Sequence, residues 1–188
     1  MKKYSEKDII ESVKRGNQSD FSLLIDVYNH KAFSMLKRML KNQMDAEEAL
    51  QDSFLKAYEN LSSFRGDSKF STWFYRIVYN TALTRLASAK RKVEKEMSSI
   101  DEHYDLYEND DKIYSESKDA KTYLFNVIEE LPVRNAVVLI LFYIDDMSLN
   151  EISQVMDVSL VNAKVLLHRS RNLLRDLLLK HNYQEEMI

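Results

Sequence analysis

The stretch SLNEISQVMDVSLVNAKVLLHRSR, residues 148–171, decides the fold. Ser148-Leu149-Asn150-Glu151 places a hydroxyl three residues before a carboxylate, the capping-box pattern that opens a helix, here a short one to about Met156. Asp157-Val158-Ser159 then makes a three-residue turn, and a long helix follows from about Leu160 to Leu179. Residues 162–180 carry Lys164, Arg169, Arg171, Arg175 and Lys180 against Asp176 alone. Two helices joined by so short a turn, the second basic, form the helix-turn-helix pattern. Leu160, Ala163, Leu167, Ser170, Leu174 and Leu177 recur at helical spacing as its packing face, which leaves Asn162, Lys164, Val165, His168, Arg169 and Asn172 outward. Asn162, Lys164 and Val165 are placed to enter a major groove, while Arg169 and Arg171 lie where phosphate or base contacts are both open. His168 has no second ligand four residues away, which argues against a metal. A helix-turn-helix used only for protein contact is the alternative.

Composition agrees with a helical chain. The 188 residues are 45% hydrophobic, ample for packed cores, yet include only two Gly and one Pro, too little turn chemistry for a sandwich or barrel. An all-α fold is expected. There is no Cys, hence no disulfide framework or thiolate metal site, and the four His are scattered with no HExxH. No cofactor site is expected. The amino terminus runs into no long apolar core and no window approaches eighteen apolar residues, so neither export nor membrane insertion is indicated and a cytoplasmic location is expected. The formal net charge of -3 argues against nucleic acid until it is split along the chain. Residues 94–119 hold ten acids and three bases, a net of -7, which leaves +4 for the remainder. Basic runs flank this acidic, apolar-poor segment, among them Arg85, Lys90, Arg91 and Lys92. That pattern predicts two small domains, 1–93 and 120–188, joined by a flexible linker at 94–119.

Within the first part, Ser5 with Asp8 opens a helix that ends near Gly16. Phe21, Leu24, Tyr28, Ala32, Met35 and Met39 mark the buried face of a second helix, ending near Asn42. Asp45 with Glu48 resembles the cap of a third, with Ala46, Ala49, Leu50, Phe54, Ala57 and Tyr58 inward. A fourth runs from about Ser68 through Arg85 towards Lys92. In the second part an apolar face of Tyr123, Leu124, Val127, Ile128 and Leu131 precedes Pro132, which suits the first turn of a helix from Val133 to Ile144.

Two surfaces of the first part stand out. Ser63 to Ile77, with Asn80 beyond, gathers Phe64, Phe70, Trp73 and Phe74 with Arg65, Lys69 and Arg76 around Gly66, whose tolerance of positive φ permits a tight loop, with Ser68 or Ser71 capping the helix that follows. Rings that stack on unpaired bases beside cations that hold phosphates can capture single-stranded nucleic acid; the same spacing also describes a packed core for Trp73 and Phe74. On the third helix Asp45, Glu48, Asp52 and Glu59 line one stripe with Gln51 and Leu55 beside it. It is either a solvated face or a docking surface for a basic helix.

These segments, in this order, resemble the extracytoplasmic-function class of bacterial RNA polymerase sigma factors almost end to end. The resemblance rests on Asp45 to Phe54, the Phe-Arg-Gly-Asp-Ser and Thr-Trp-Phe-Tyr-Arg-Ile runs, Leu131-Pro132, and the helix-turn-helix ending Leu167-His168-Arg169-Ser170-Arg171. It implies a region 2 that binds core polymerase and opens the promoter -10 element, and a region 4 that binds the -35 element as duplex. By position, Asp45, Glu48, Gln51, Asp52 and Phe54 match the core-binding helix. Phe64, Arg65, Ser68, Lys69, Phe70, Thr72 and Trp73 match the melting segment, and Arg76, Asn80 and Arg85 the -10 recognition helix. Asn162, Lys164, Val165, His168 and Arg169 match the -35 contacts. The family also implies an anti-sigma partner. Thr84 stands where an acidic residue is usual, and Val165-Leu166 replaces a common Ser-Arg pair, so the -35 sequence read should differ or depend more on shape. Asp157 replaces a usual turn glycine, which Asp's tolerance of the left-handed region permits. The implied function is that of a specificity subunit, not an enzyme; the alternative is a stand-alone helix-turn-helix regulator. Phe64→Ala is expected to impair opening with little loss of stability, and Phe74→Ala the reverse.

Overall fold

In the computed structural model, residues 5–97 and 120–185 are described, and among them the fold is all-α with no strand. The helices are α1 (Glu6–Lys14), α2 (Phe21–Leu40), α3 (Gln43–Glu59), α4 (Phe70–Met97), α5 (Ala120–Glu129), α6 (Val133–Tyr143), α7 (Leu149–Val155) and α8 (Leu160–Glu185). Both predicted capping boxes form: Ser5 with Asp8 opens α1, and Ser148 with Glu151 opens α7. Asp157 takes the left-handed turn at φ 54°, and Gly16 and Gly66 take positive φ of 105° and 82°.

Several boundaries differ from expectation for local reasons. The α3 cap is Asn42, whose side chain accepts from the Asp45 N–H, so the helix begins at Gln43 and not at Asp45. The Ser68 hydroxyl turns to the Lys69 carbonyl at 3.3 Å, and α4 begins at Phe70. α8 extends to Glu185, beyond Leu179. Most of the expected linker, from 98 to 119, lies outside the described residues, and α4 reaches Met97.

The core of the first part is aromatic. Phe74 stacks on Phe54 with centroids 4.7 Å apart and meets Tyr28 at 5.6 Å, so α2, α3 and α4 converge on one fully buried ring. The Tyr28 hydroxyl donates to the Glu6 carboxylate and ties α1 to α2; burial, then Glu6, pushes that phenol's pKa up. In the second part α6 is the buried spine, with Val137, Val138, Leu139 and Leu141 almost wholly covered by α7, α8 and the first part. The Asn135 amide donates to the Ser170 hydroxyl at 2.9 Å and bolts α6 to α8. Leu124 in the middle of α5 and Leu160 at the start of α8, expected in the packing faces, are instead 37% and 40% exposed.

The two parts pack against each other. α4 packs on α7 and α2 on α6, and one contiguous buried cluster runs through both. Tyr75 and Tyr79 of α4 are buried on this side, and burial raises both phenol pKa values, with Asp145 adding to the shift of Tyr75 and Arg134 opposing that of Tyr79. The Arg38 guanidinium of α2 lies 4.7 Å from the Phe125 ring centroid of α5.

Candidate nucleic-acid interface

The loop 64–69 is held from two sides. From α1, Lys14 donates to the Phe64 carbonyl and sits 5.7 Å from that ring's centroid. From α4, Phe70 and Trp73 meet the Phe64 ring at 5.6 and 5.3 Å. Phe64 is therefore a buried ring, 9% exposed, and not the exposed stacking platform that the sequence suggested. Phe70 and Thr72 are buried as well. These three shape the loop from inside. A residue preceding a helix gives no sign in one sequence of which neighbour will cover it, and α1 supplies the missing wall.

What remains at the surface is polar and cationic. Arg65, Lys69, Arg76 and Asn80 are exposed, and Ser68 and Trp73 are half-buried. Trp73 and Asn80, with Lys56, Asn60, Ser63, Ile77, Thr81 and Thr84, line an open cleft of about 360 Å³ between α3 and α4. One ring, hydroxyls, amides and an ammonium around such a cleft suit a flat, hydrogen-bonding ligand of nucleobase chemistry. Lys56, Asn60 and Ser63 were missed by sequence reasoning; the packing of α3 against α4 brings them here. A second cleft, between α1 and the loop, is bordered by Arg65, Gly66, Ser68 and Lys69.

Arg85 does not point into either cleft. Its Nη1 meets Glu48 at 3.0 Å and its Nη2 meets Asp52 at 2.6 Å, a two-pronged bridge from α4 to α3. Asp52, then Glu48, holds the guanidinium pKa above its ordinary value against the opposing effect of burial. Residues expected to serve DNA and core polymerase separately thus form one network. Asp45, Glu48 and Gln51 are exposed on the same helix, beside Leu55 at 57%. Phe54 is buried, and its contribution is to the floor of an apolar groove of about 630 Å³ between α2 and α3, with Phe21, Ile25, Leu50, Leu55 and Tyr58. The α2 side of that groove was not legible, because Ile25 lies off the buried face that the helical spacing of Phe21, Leu24 and Tyr28 marks.

On α8, Asn162, Lys164, Val165, His168 and Arg169 are all exposed along one helix, as expected. Ser159 caps it by accepting from the Asn162 N–H at 3.1 Å. Arg171 is turned back, its guanidinium 5.4 Å from the ring centroids of both Phe142 and Tyr143. Among the described residues no group of three or more His, Cys, Asp or Glu is arranged to hold a metal ion, and no helix is long and apolar enough to cross a membrane.

A cleft-bearing helical domain joined to a helix-turn-helix defines a DNA reader of the sigma-70 class: Sigma-70 region 2 matches residues 24–92, and Sigma-70 region 4 matches residues 121–174. The chain is 33% identical over 177 residues to the ECF RNA polymerase sigma factor SigW of Bacillus subtilis, covering 90% of this chain and 94% of that one. It is 31% identical over 175 residues to the ECF RNA polymerase sigma-E factor of Escherichia coli K12, covering 89% and 91%. The chain belongs to the ECF RNA polymerase sigma factors, and as a sigma factor it directs transcription initiation. The fold is shared with the sigma factor RpoE of Bartonella quintana, solved in complex with the anti-sigma factor NepR, at TM-score 0.68 and 18% identity over 85% of this chain and 96% of that one.

Proposed function

We propose that the chain docks on core RNA polymerase through the α3 acidic stripe and its neighbouring groove, captures a displaced strand of the -10 element at the Trp73–Asn80 cleft, and binds the -35 element as duplex with α8. The observation that carries this reading is the cleft itself, which brings Trp73 and Asn80 together with Lys56. Exposed Asn162, Lys164 and Arg169 on a capped helix support the duplex contact.

Energetics favour dependence on a larger machine. Opening about ten base-pair steps costs on the order of 14 kcal/mol, and a captured base returns only about 1–3 kcal/mol. The chain therefore biases where opening begins, and the polymerase supplies the rest. It acts as a specificity subunit and not as an enzyme, in the cytoplasm, and an anti-sigma protein is its expected restraint. The test is transcription reconstituted with cognate core. Promoter-dependent product is expected, reduced at least tenfold by Asn80→Ala with Trp73→Ala; tight sequence-specific duplex binding without core association would instead favour a stand-alone regulator.

A further inference from the structure

We propose that the helix-turn-helix masks the -10 face of its own chain, with Glu151 and Asp157 occupying the two cations that a DNA strand would use. This rests on the assignment of that face as the strand-binding surface. Lys69 Nζ meets Glu151 Oε1 at 2.8 Å, and Arg76 Nη2 meets Asp157 Oδ1 at 2.8 Å. The two cations stand seven residues apart, which is two helical turns when α4 is extended back to the Lys69 carbonyl that accepts the Trp73 N–H, so they share a face. The two acids bracket α7, one in its first turn and one just past its end.

Both acids sit on preset backbone. Glu151 gives its other oxygen to the Ser148 N–H and hydroxyl, at 2.8 and 2.7 Å, and so keeps Oε1 free for Lys69. Asp157 is fixed by the left-handed turn. Packing of α4 on α7 presses these acids against the cations, while Lys31 with Asp145, at 3.1 Å, fastens α2 to the end of α6 on another side. Carboxylates on preset backbone are phosphate surrogates. The Arg76 and Asp157 side chains are 49% and 74% exposed, so a polyanion or added salt can compete for the pair. The mask is one-sided, because Lys164 and Arg169 remain exposed on α8. The duplex-reading helix is available while the strand-reading face is covered, and engagement of α8 elsewhere draws the acids off.

Glu151→Gln with Asp157→Asn removes both charges and spares the fold, since Gln serves a capping box and Asn tolerates the left-handed region. The chain has no cysteine, so dyes placed at exposed Met44 and Leu179 report the separation of the two parts by energy transfer in the full chain. Binding of a labelled A/T-rich single-stranded DNA of about a dozen nucleotides is followed by anisotropy. The double variant is expected to lower energy transfer and to tighten strand binding about tenfold at low salt, roughly threefold per pair. Asp26→Asn with Asp176→Asn, the same charge change elsewhere, is expected to change binding less than about twofold. Unchanged transfer with wild-type binding would overturn the mask alone, as would a gain equalled by the control pair. Lowered transfer with no strand binding by either protein would overturn it by removing what is masked, and would mark failure of the -10 assignment.

Discussion

Phe64→Ala tests the corrected view of the loop most directly. The ring is 9% exposed and contacts Phe70, Trp73 and the Lys14 ammonium, so truncation opens a void between α1 and α4 and releases three side chains at once. Buried Phe→Ala changes cost about 3–5 kcal/mol. The site lies at the edge of the core, where α1 can settle inward, so the lower end, about 3 kcal/mol, applies. For a chain of this length that lowers Tm by roughly 6–12 °C. Phe64→Leu keeps most of the apolar volume and is expected to cost less than about 1.5 kcal/mol. Thermal melts by circular dichroism, with urea midpoints as a check, measure both. An Ala variant that melts within about 1 °C of wild type while losing promoter opening would refute the argument and return Phe64 to the surface.

The remaining expectations concern charge. Arg85→Ala leaves Glu48 and Asp52 without their shared partner; both are largely exposed, so stability should change by no more than about 1 kcal/mol. Association with core polymerase, measured by fluorescence, should tighten severalfold because the acids no longer compete with an internal cation, whereas weaker association would show that Arg85 positions them for docking. The Lys69 hydrogen bond, with Ser148 behind it, holds the Glu151 pKa below its ordinary 4.5. Stability from that pair is therefore fully present above pH 4.5 and lost as pH falls through the lowered value. The Tm difference between wild type and Glu151→Gln should be constant above that point and shrink below it, and a difference that grows on acidification would contradict the pairing.

Periodicity made most of the fold readable. Tyr28, Ala32, Met35 and Met39 lie inside as their spacing requires, and Ser148 with Glu151 marked a helix start that local chemistry alone settles. Exposure along α8 was equally legible, because Ala163, Leu167 and Ser170 define the covered side. Non-local features were not. Nothing near Phe64 in sequence announces that Lys14 will close over it, and Arg85 reads as a DNA contact until α3 and α4 are laid side by side. The acidic segment at 94–119 suggested two small domains, which the region 2 and region 4 matches bear out, but that Tyr75, Tyr79 and α7 would meet in one buried cluster is a product of tertiary packing alone.

The charge puzzle of a DNA reader with net charge -3 resolves through placement. The acids among the described residues are not spread evenly. Glu48 and Asp52 sit on Arg85, Glu151 on Lys69, and Asp157 on Arg76, so three of the cations expected at the -10 side are each paired within the chain. Lys164 and Arg169 on α8 stand exposed. A free chain so arranged has little long-range attraction for the single strand and retains some for duplex. Under the proposed docking, a basic surface that engages Glu48 and Asp52 competes with Arg85, which follows Thr84 directly on α4 and lies five residues past Asn80. On that proposal, polymerase binding and the cationic character of this part of α4 are coupled through the same two carboxylates, and such a coupling is reciprocal. Strand engagement that draws Arg85 away must strengthen docking by the same factor by which docking strengthens strand engagement.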